Sequence, residues 1–225
     1  MTTRKSNDEM HQRTDLVRIL VVDDHPVFRK GAADLLNEAF KNLHIDETGD
    51  GREAIRMACE HDWELVILDV TLPGRNGLDV LKDIRHQRPR IPVLMVSMHP
   101  EDQYALRALR AGASGYMTKD TAPEALVMAV DRILDGGRYV SSSLADRLAQ
   151  AVGTGVEGPL HESLSDREHQ VLVMLGGGHR VSDIATALSL SVKTVSTYRA
   201  RVLEKLDLSS TAELIAYALR QGLVE

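Results

Sequence analysis

The chain has 225 residues, of which 43% are hydrophobic and 27% charged, with one cysteine and a formal net charge of −6. This size and composition predict two small globular cores rather than a disordered chain, and the single cysteine excludes an internal disulfide. The acidic charge argues against a constitutive, non-specific nucleic-acid binder, and no apolar run approaches the ~18 residues of a membrane span, so we expect a cytoplasmic protein with no membrane partner.

The first half of the sequence alternates short apolar runs with amphipathic stretches. The apolar runs that we interpret as strands are residues 18–22, 45–48, 65–68, 93–96 and 115–117. The helical stretches between them are residues 27–39, 51–61, 77–87, 101–111 and 122–134. This rhythm predicts an α/β domain over residues 17–136, a doubly wound, flavodoxin-like fold with a five-stranded parallel sheet.

A glycine-rich stretch separates this domain from a second, smaller one. We interpret residues 137–160 as a linker, with a short connecting helix at 143–152. Ser165 and Glu168 have the spacing of a capping box, which predicts a helix start. Residues 161–225 are therefore expected to form a small all-α domain.

Two helical patterns in the second domain are joined by a very short turn. The first covers residues 181–188, the second begins near Val192, and only Ser189, Leu190 and Ser191 lie between them. Two helices joined so closely cross steeply, as in a helix-turn-helix. A final helix is expected at residues 211–221.

The second helix of this pair has an outward face of small, hydroxyl and basic residues. Such a face fits a major groove, although an isolated stretch of this kind is more typical of a solvated face in a helical bundle. The candidate DNA contacts are Lys193, Thr194, Ser196, Thr197, Arg199, Arg201 and Lys205.

Polar residues follow four of the predicted strands. They are Asp23 and Asp24, Asp69, Ser97 and Lys119. Because ligands bind at the carboxyl ends of parallel strands, we expect these side chains to meet at one edge of the sheet. Three carboxylates close together favour a bound Mg²⁺ and a phosphoryl group, with Asp69 as the nucleophile within reach of solvent. The alternative is that each polar residue merely ends a strand.

Lys119 is expected to pair with a phosphoryl oxygen, and Ser97 to donate its hydroxyl hydrogen to another. The residue two positions beyond Asp69 is Thr71. A second aspartate at that position, which a phosphatase or phosphotransferase built on this chemistry would use, is therefore absent. We expect no enzyme activity beyond slow self-dephosphorylation.

These residues resemble the two-component receiver domains. The resemblance is carried by VVDDHP at 21–26, LDVTLPGRNG at 68–77, VSM at 96–98 and GYMTKD at 115–120. It implies that Asp69 accepts phosphate from a histidine kinase. It further implies that Asp23, Asp24 and Asp69 with the main-chain carbonyl of Thr71 hold Mg²⁺, and that Ser97 with Tyr116 couples phosphorylation to the face around the fourth helix.

The second domain is similar to the LuxR-type helix-turn-helix of the NarL/FixJ branch of response regulators. The similar segments are LSDREHQVL at 164–172 and the stretch from 184 to 206. The resemblance implies that the second helix of the motif enters the major groove and that the last helix mediates pairing on DNA.

Together these features predict a DNA-binding transcriptional response regulator. Phosphorylation of Asp69 by a sensor histidine kinase would switch it, and the phosphorylated chain would bind promoter DNA as a homodimer. The alternative is a phosphorylation-independent transcription factor whose receiver is a protein-interaction module.

Overall fold

The first domain is built on a parallel sheet. In this computed structural model, residues 16–146 and 160–224 are described. The strands are β1 (Val17–Val22), β2 (Leu43–Thr48), β3 (Leu65–Asp69), β4 (Val93–Ser97) and β5 (Gly115–Thr118). All neighbours pair in parallel, in the order β2-β1-β3-β4-β5. The predicted five-stranded fold is confirmed, and the strands extend the predicted runs by one or two residues.

Helices cover both faces of this sheet. They are α1 (Pro26–Ala39), α2 (Gly51–Glu60), α3 (Gly77–Gln87), α4 (Glu101–Arg110) and α5 (Pro123–Leu134). Alternate strand residues face opposite cores, as the pleat requires: Leu20 and Val22 pack towards α2, α3 and α4, whereas Ile19 and Val21 pack towards α1 and α5. Burial on both faces explains why the strands are continuous apolar runs.

The chain after α5 remains attached to the first domain. Tyr139 forms a parallel bridge with Gly115 beside β5, and Leu144 is buried in the core with α4. Residues 142–146 are helical, and the rest of the connecting helix predicted at 143–152 lies outside the described residues.

The second domain is a small helical bundle. After a 3₁₀ turn (Leu160–Ser163) it contains α6 (Asp166–Gly176), α7 (Val181–Ala187), α8 (Val192–Lys205) and α9 (Thr211–Arg220). The predicted capping box of Ser165 and Glu168 is present at the start of α6. Buried apolar side chains from all four helices form its core, among them Leu172, Ile184, Val202 and Leu214. Within the described ranges, no helix has the length and apolarity needed to cross a bilayer.

The first turns of α6 pack against α3 and α4 of the first domain. Asp166 is 6% exposed, and its carboxylate lies 2.5 Å from Lys82 Nζ and 3.5 Å from Arg107 Nη1. Arg107 also donates to the carbonyl oxygen of Leu164 at 2.9 Å. The buried Asn76, the N-cap of α3, donates to Gln170 Oε1 at 3.2 Å. We refer to this set of contacts as the interdomain contact.

Candidate functional site

The predicted carboxylates and the lysine meet at the carboxyl edge of the sheet. Asp23 and Asp24 follow β1, Asp69 ends β3, and Lys119 follows β5. The Nζ of Lys119 lies 2.6 Å from Asp23 Oδ2 and 2.7 Å from Asp69 Oδ2. One ammonium therefore bridges two carboxylates that would otherwise repel each other.

Lys119 is held in this position from several sides. Its side chain is 5% exposed, and the ammonium lies 4.9 Å from the centre of the Phe28 ring. Its backbone N–H donates to the carbonyl oxygen of Ser97 at 2.8 Å, which places the residue at the ends of β4 and β5 together. A cation above an aromatic face is further stabilised by the ring quadrupole.

The carboxylate of Asp69 is more enclosed than the sequence predicts. Its side chain is 2% exposed, because Lys119 covers one oxygen and the N–H of Thr71 donates to the other at 3.1 Å. Burial raises the pKa of Asp69 to about 6; the positive charge of Lys119 lowers it and the negative charge of Asp23 raises it further. The solvent access expected for Asp69 is therefore not found in this structure, in which Lys119 covers the carboxylate.

His25 belongs to the site, although sequence reasoning missed it. Its Nδ1 lies 2.8 Å from Asp24 Oδ1 and 3.2 Å from Asp23 Oδ1. Its side chain is 64% exposed and that of Asp24 is 33% exposed, so these two residues form the solvent side of the site. The one signal in the sequence was its position directly after the two aspartates.

The donor set of this edge suits a hard divalent cation. Ligand atoms of Asp23, Asp24, His25 and Asp69 all lie within 4.8 Å of one another. When ionised, the three carboxylates carry three negative charges, against the single ammonium of Lys119. This excess of negative oxygen ligands favours a hard divalent cation.

Ser97 and Tyr116 lie beside this edge and converge on one residue. Both are fully buried. Ser97 Oγ accepts a hydrogen bond from the backbone N–H of His99 at 3.0 Å, and the hydroxyl of Tyr116 donates to the carbonyl oxygen of His99 at 3.2 Å. His99 was not predicted as a site residue, and its own sequence surroundings carry no periodic signal.

The candidate DNA-binding residues lie along α8. Val195 and Val202 are fully buried on its inner side, while Lys193, Thr197 and Arg201 are exposed. The other candidates are less accessible to a ligand. Thr194, Ser196 and Arg199 are partly buried, and Lys205 Nζ forms an ion pair with Glu168 at 2.6 Å. The exposed candidates thus share one side of α8, as the helical spacing predicts.

The apolar stripe of the last helix is divided between the core and the surface. Leu214 and Ala218 of α9 are fully buried, whereas Leu219 is 49% exposed. Leu214 and Ala218 therefore face the core of the second domain, and Leu219 does not.

An acidic pocket at the carboxyl edge of a parallel sheet, joined to a helix-turn-helix domain, is the organisation of a signalling protein that regulates transcription. Residues 19–131 match the response regulator receiver domain family, and residues 162–218 match the luxR family of bacterial regulatory proteins. The chain belongs to the NarL/FixJ family of two-component response regulators.

Curated relatives share this organisation over almost their whole length. Response regulator GacA of Pseudomonas aeruginosa is 35% identical over 211 residues, which is 93% of this chain and 99% of the relative. Transcriptional activator protein ExaE of Pseudomonas putida is 39% identical over 208 residues, which is 92% of this chain and 97% of the relative. The chain is thus similar to a response regulator and to a transcriptional activator over more than nine-tenths of its length.

A solved structure supports the fold of both domains. RcsB from Salmonella enterica serovar Typhimurium, bound to promoter rprA in the presence of the phosphomimetic BeF₃⁻, is similar with a TM-score of 0.62 and 23% identity. The similarity covers 90% of this chain and 98% of the other. At this identity it shows a common fold and no more.

Proposed function

We propose that this two-component transcription regulator is switched by phosphorylation of Asp69. The observation that carries the proposal is the position of Lys119, whose ammonium touches both Asp69 and Asp23. In the reaction, an Asp69 oxygen attacks the phosphorus of a phosphohistidine on the sensor kinase; the P–O bond forms as the P–N bond breaks. Lys119 then pairs with a phosphoryl oxygen, and Ser97 donates to another.

Mg²⁺ is the proposed cofactor. Asp23, Asp24 and Asp69 would hold it, with the main-chain carbonyl of Thr71 as a further ligand. A bound Mg²⁺ neutralises charge on the phosphoryl oxygens. Without it, the excess negative charge of the three carboxylates would oppose the approach of an anionic phosphate.

Mg²⁺ affinity should depend on pH near the pKa of Asp69. The metal needs the ionised carboxylate, and burial raises the pKa of Asp69 to about 6, so protons and Mg²⁺ compete below that value. We expect the apparent affinity to rise about tenfold per pH unit below pH 6 and to level off near pH 7. Calorimetric titration from pH 5 to 8 measures this. The Mg²⁺ affinity of Asp69→Asn should not show this pH dependence. If the Mg²⁺ affinity of the original protein is constant from pH 5 to 8, Asp69 is not a ligand of the metal.

We propose three segments for the chain: a receiver at residues 17–136, a linker at 137–160 and a DNA-binding domain at 161–225. The two family matches fall within the first and third segments. Phosphorylation would favour a homodimer, and two linked domains would gain promoter affinity through effective concentration. Slow self-dephosphorylation would return the chain to its resting state.

Promoter binding with and without a phosphoryl donor tests this function. We expect acetyl phosphate with Mg²⁺ to raise the affinity of the full chain for its promoter by at least about tenfold, because dimerisation joins two half-site contacts. Asp69→Ala should bind with the same affinity in both conditions. Equal binding by the original chain with and without the donor would favour the phosphorylation-independent alternative.

The exposed face of α8 should supply the DNA contacts. Arg201→Ala removes an exposed positive charge from this face, so we expect promoter affinity to fall about tenfold and the slope of log affinity against log salt to decrease by about 1. Fluorescence anisotropy over a salt series measures both quantities. Arg90→Ala, an exposed arginine of the receiver, is the matched control and should change neither. An unchanged affinity for the Arg201 variant would remove that residue from the interface.

A further inference from the structure

The two buried residues beside the pocket both hold the backbone of His99. Ser97 Oγ accepts its N–H, and the hydroxyl of Tyr116 donates to its carbonyl oxygen. The backbone N–H of His99 is thus hydrogen-bonded to Ser97, and its backbone carbonyl is hydrogen-bonded to Tyr116. A change in the hydrogen bonding of either residue therefore acts directly on His99.

The imidazole of His99 continues this connection towards the DNA-binding domain. Its ring centre lies 5.1 Å from that of Tyr104 in α4, with an interplanar angle of 40°. Tyr104 is fully buried, and within residues 16–146 and 160–224 its hydroxyl finds no hydrogen-bond partner. Burying an unpaired hydroxyl is costly, so the surrounding packing holds Tyr104 in a position that it would leave if the packing loosened.

The other side of Tyr104 contacts α6. Its ring meets that of His169 edge to face, with centres 5.2 Å apart and an angle of 82°. His169 is 1% exposed, and burial, with the nearby charges of Arg107, His161 and His99, holds its pKa well below its usual range. A neutral ring packed in this way adds to the interdomain contact without adding charge.

The row of rings continues inside the DNA-binding domain. The ring of His161 lies 6.2 Å from that of His169, and its Nδ1 is 3.1 Å from the hydroxyl of Tyr217 in α9. Aromatic contacts therefore run without interruption from the edge of the pocket to the last helix. The helix that carries His169, α6, and the helix that carries Tyr217, α9, both contribute to the core of the second domain.

We propose that His99 is a positioning residue that transmits the phosphorylation state of the pocket to α6, through Tyr104 and His169. This rests on the proposed phosphorylation of Asp69. When Ser97 turns its hydroxyl towards the phosphoryl group, it ceases to hold the N–H of His99, and the His99 ring withdraws from Tyr104. Tyr104 can then shift to pair its hydroxyl, and the receiver loses its ring contact with His169.

Thermodynamic linkage makes this proposal reciprocal. If occupation of the pocket weakens the interdomain contact, then weakening that contact must strengthen occupation of the pocket by the same factor. A substitution in α6, such as His169→Ala, should therefore change the affinity of the pocket around Asp69 for BeF₃⁻. A merely structural role for His169 predicts no such effect.

Hydrogen exchange of the full chain provides the test, with BeF₃⁻ and Mg²⁺ as the probe. We expect the probe to slow exchange around Asp69 and to speed exchange at residues 166–172 by about fivefold or more. Failure to protect the Asp69 region would overturn the proposed function together with this inference. Protection there with no change at residues 166–172 would overturn the inference alone.

Three variants separate the steps of the connection. His169→Ala should bind BeF₃⁻ about fivefold more tightly, because the resting state loses a contact. Tyr104→Phe should bind it more weakly, because the resting state no longer buries an unpaired hydroxyl. In His99→Ala, the pocket should still bind BeF₃⁻ while exchange at residues 166–172 is the same with and without it.

The control is His86→Ala, an exposed histidine of α3 that should behave as the original chain. Tyr104→Phe keeps the ring and its packing, so its result stands even if an alanine variant fails to fold. A normal response at residues 166–172 in His99→Ala, or an unchanged BeF₃⁻ affinity in both His169→Ala and Tyr104→Phe, would overturn the proposal.

Discussion

Replacing Asp69 with alanine should reduce phosphate uptake from the phosphorylated sensor kinase to background. The variant lacks the carboxylate oxygen that forms the acyl phosphate. The fold should survive, since burial already disfavours the ionised carboxyl of Asp69, whose pKa is raised to about 6. Transfer of radiolabelled phosphate, with thermal unfolding of the same sample, measures both expectations.

The matched control for this experiment is Asp62→Ala. The Asp62 side chain is 94% exposed and precedes β3, at the opposite end of the strand that Asp69 terminates. This variant should accept phosphate normally. Transfer to the Asp69 variant at full stoichiometry would disprove the assignment, whatever the behaviour of the control.

Replacing Gly77 with valine should strongly destabilise the receiver and disable the pocket. A Cβ at this position would lie 1.9 Å from the carbonyl oxygen of Asp69 and 2.9 Å from the Cα of Val70. Both neighbours are backbone atoms at the end of β3, so the clash can be relieved only by moving the strand that carries Asp69. We expect a loss of about 3 kcal/mol or more in the free energy of unfolding.

Gly31→Ala is the opposite control for this prediction. Gly31 lies within α1, and a Cβ there would meet nothing within 4 Å. Alanine favours a helix over glycine, so this variant should be more stable by up to about 1 kcal/mol. Urea unfolding of both variants, followed by phosphate transfer, measures the two effects. Similar stability of Gly77→Val and the original chain would mean that β3 can shift freely.

Local sequence patterns were sufficient for the elements of secondary structure. The strand that begins at Leu65 is a run of buried residues, and α3 begins and ends where the pattern predicts. The capping box at Ser165 marked the start of α6 for a local reason, since its two hydrogen bonds join residues only three positions apart. Such signals are short in range and are therefore visible in one sequence.

The gathering of the pocket residues was also predictable, for a topological reason. Parallel strands deliver their carboxyl ends to one edge, so Asp23, Asp69 and Lys119 had to lie near one another. The closure of the pocket was not predictable. Lys119 covers Asp69, and His25 contacts both preceding aspartates. Both contacts depend on side-chain positions that the spacing of residues in the sequence does not specify.

What the sequence by itself determined is the architecture, the acidic edge and the basic helix, because each follows from periodicity or from strand order. Only the tertiary structure decided how the domains meet. Asp166 pairs with Lys82 and Arg107, and Tyr104 packs against His169, across separations of more than fifty residues. Polar residues at the start of α6 look like a solvated helix turn in the sequence. Their burial depends on a second surface of matching charge and shape, and local patterns contain no information about that surface.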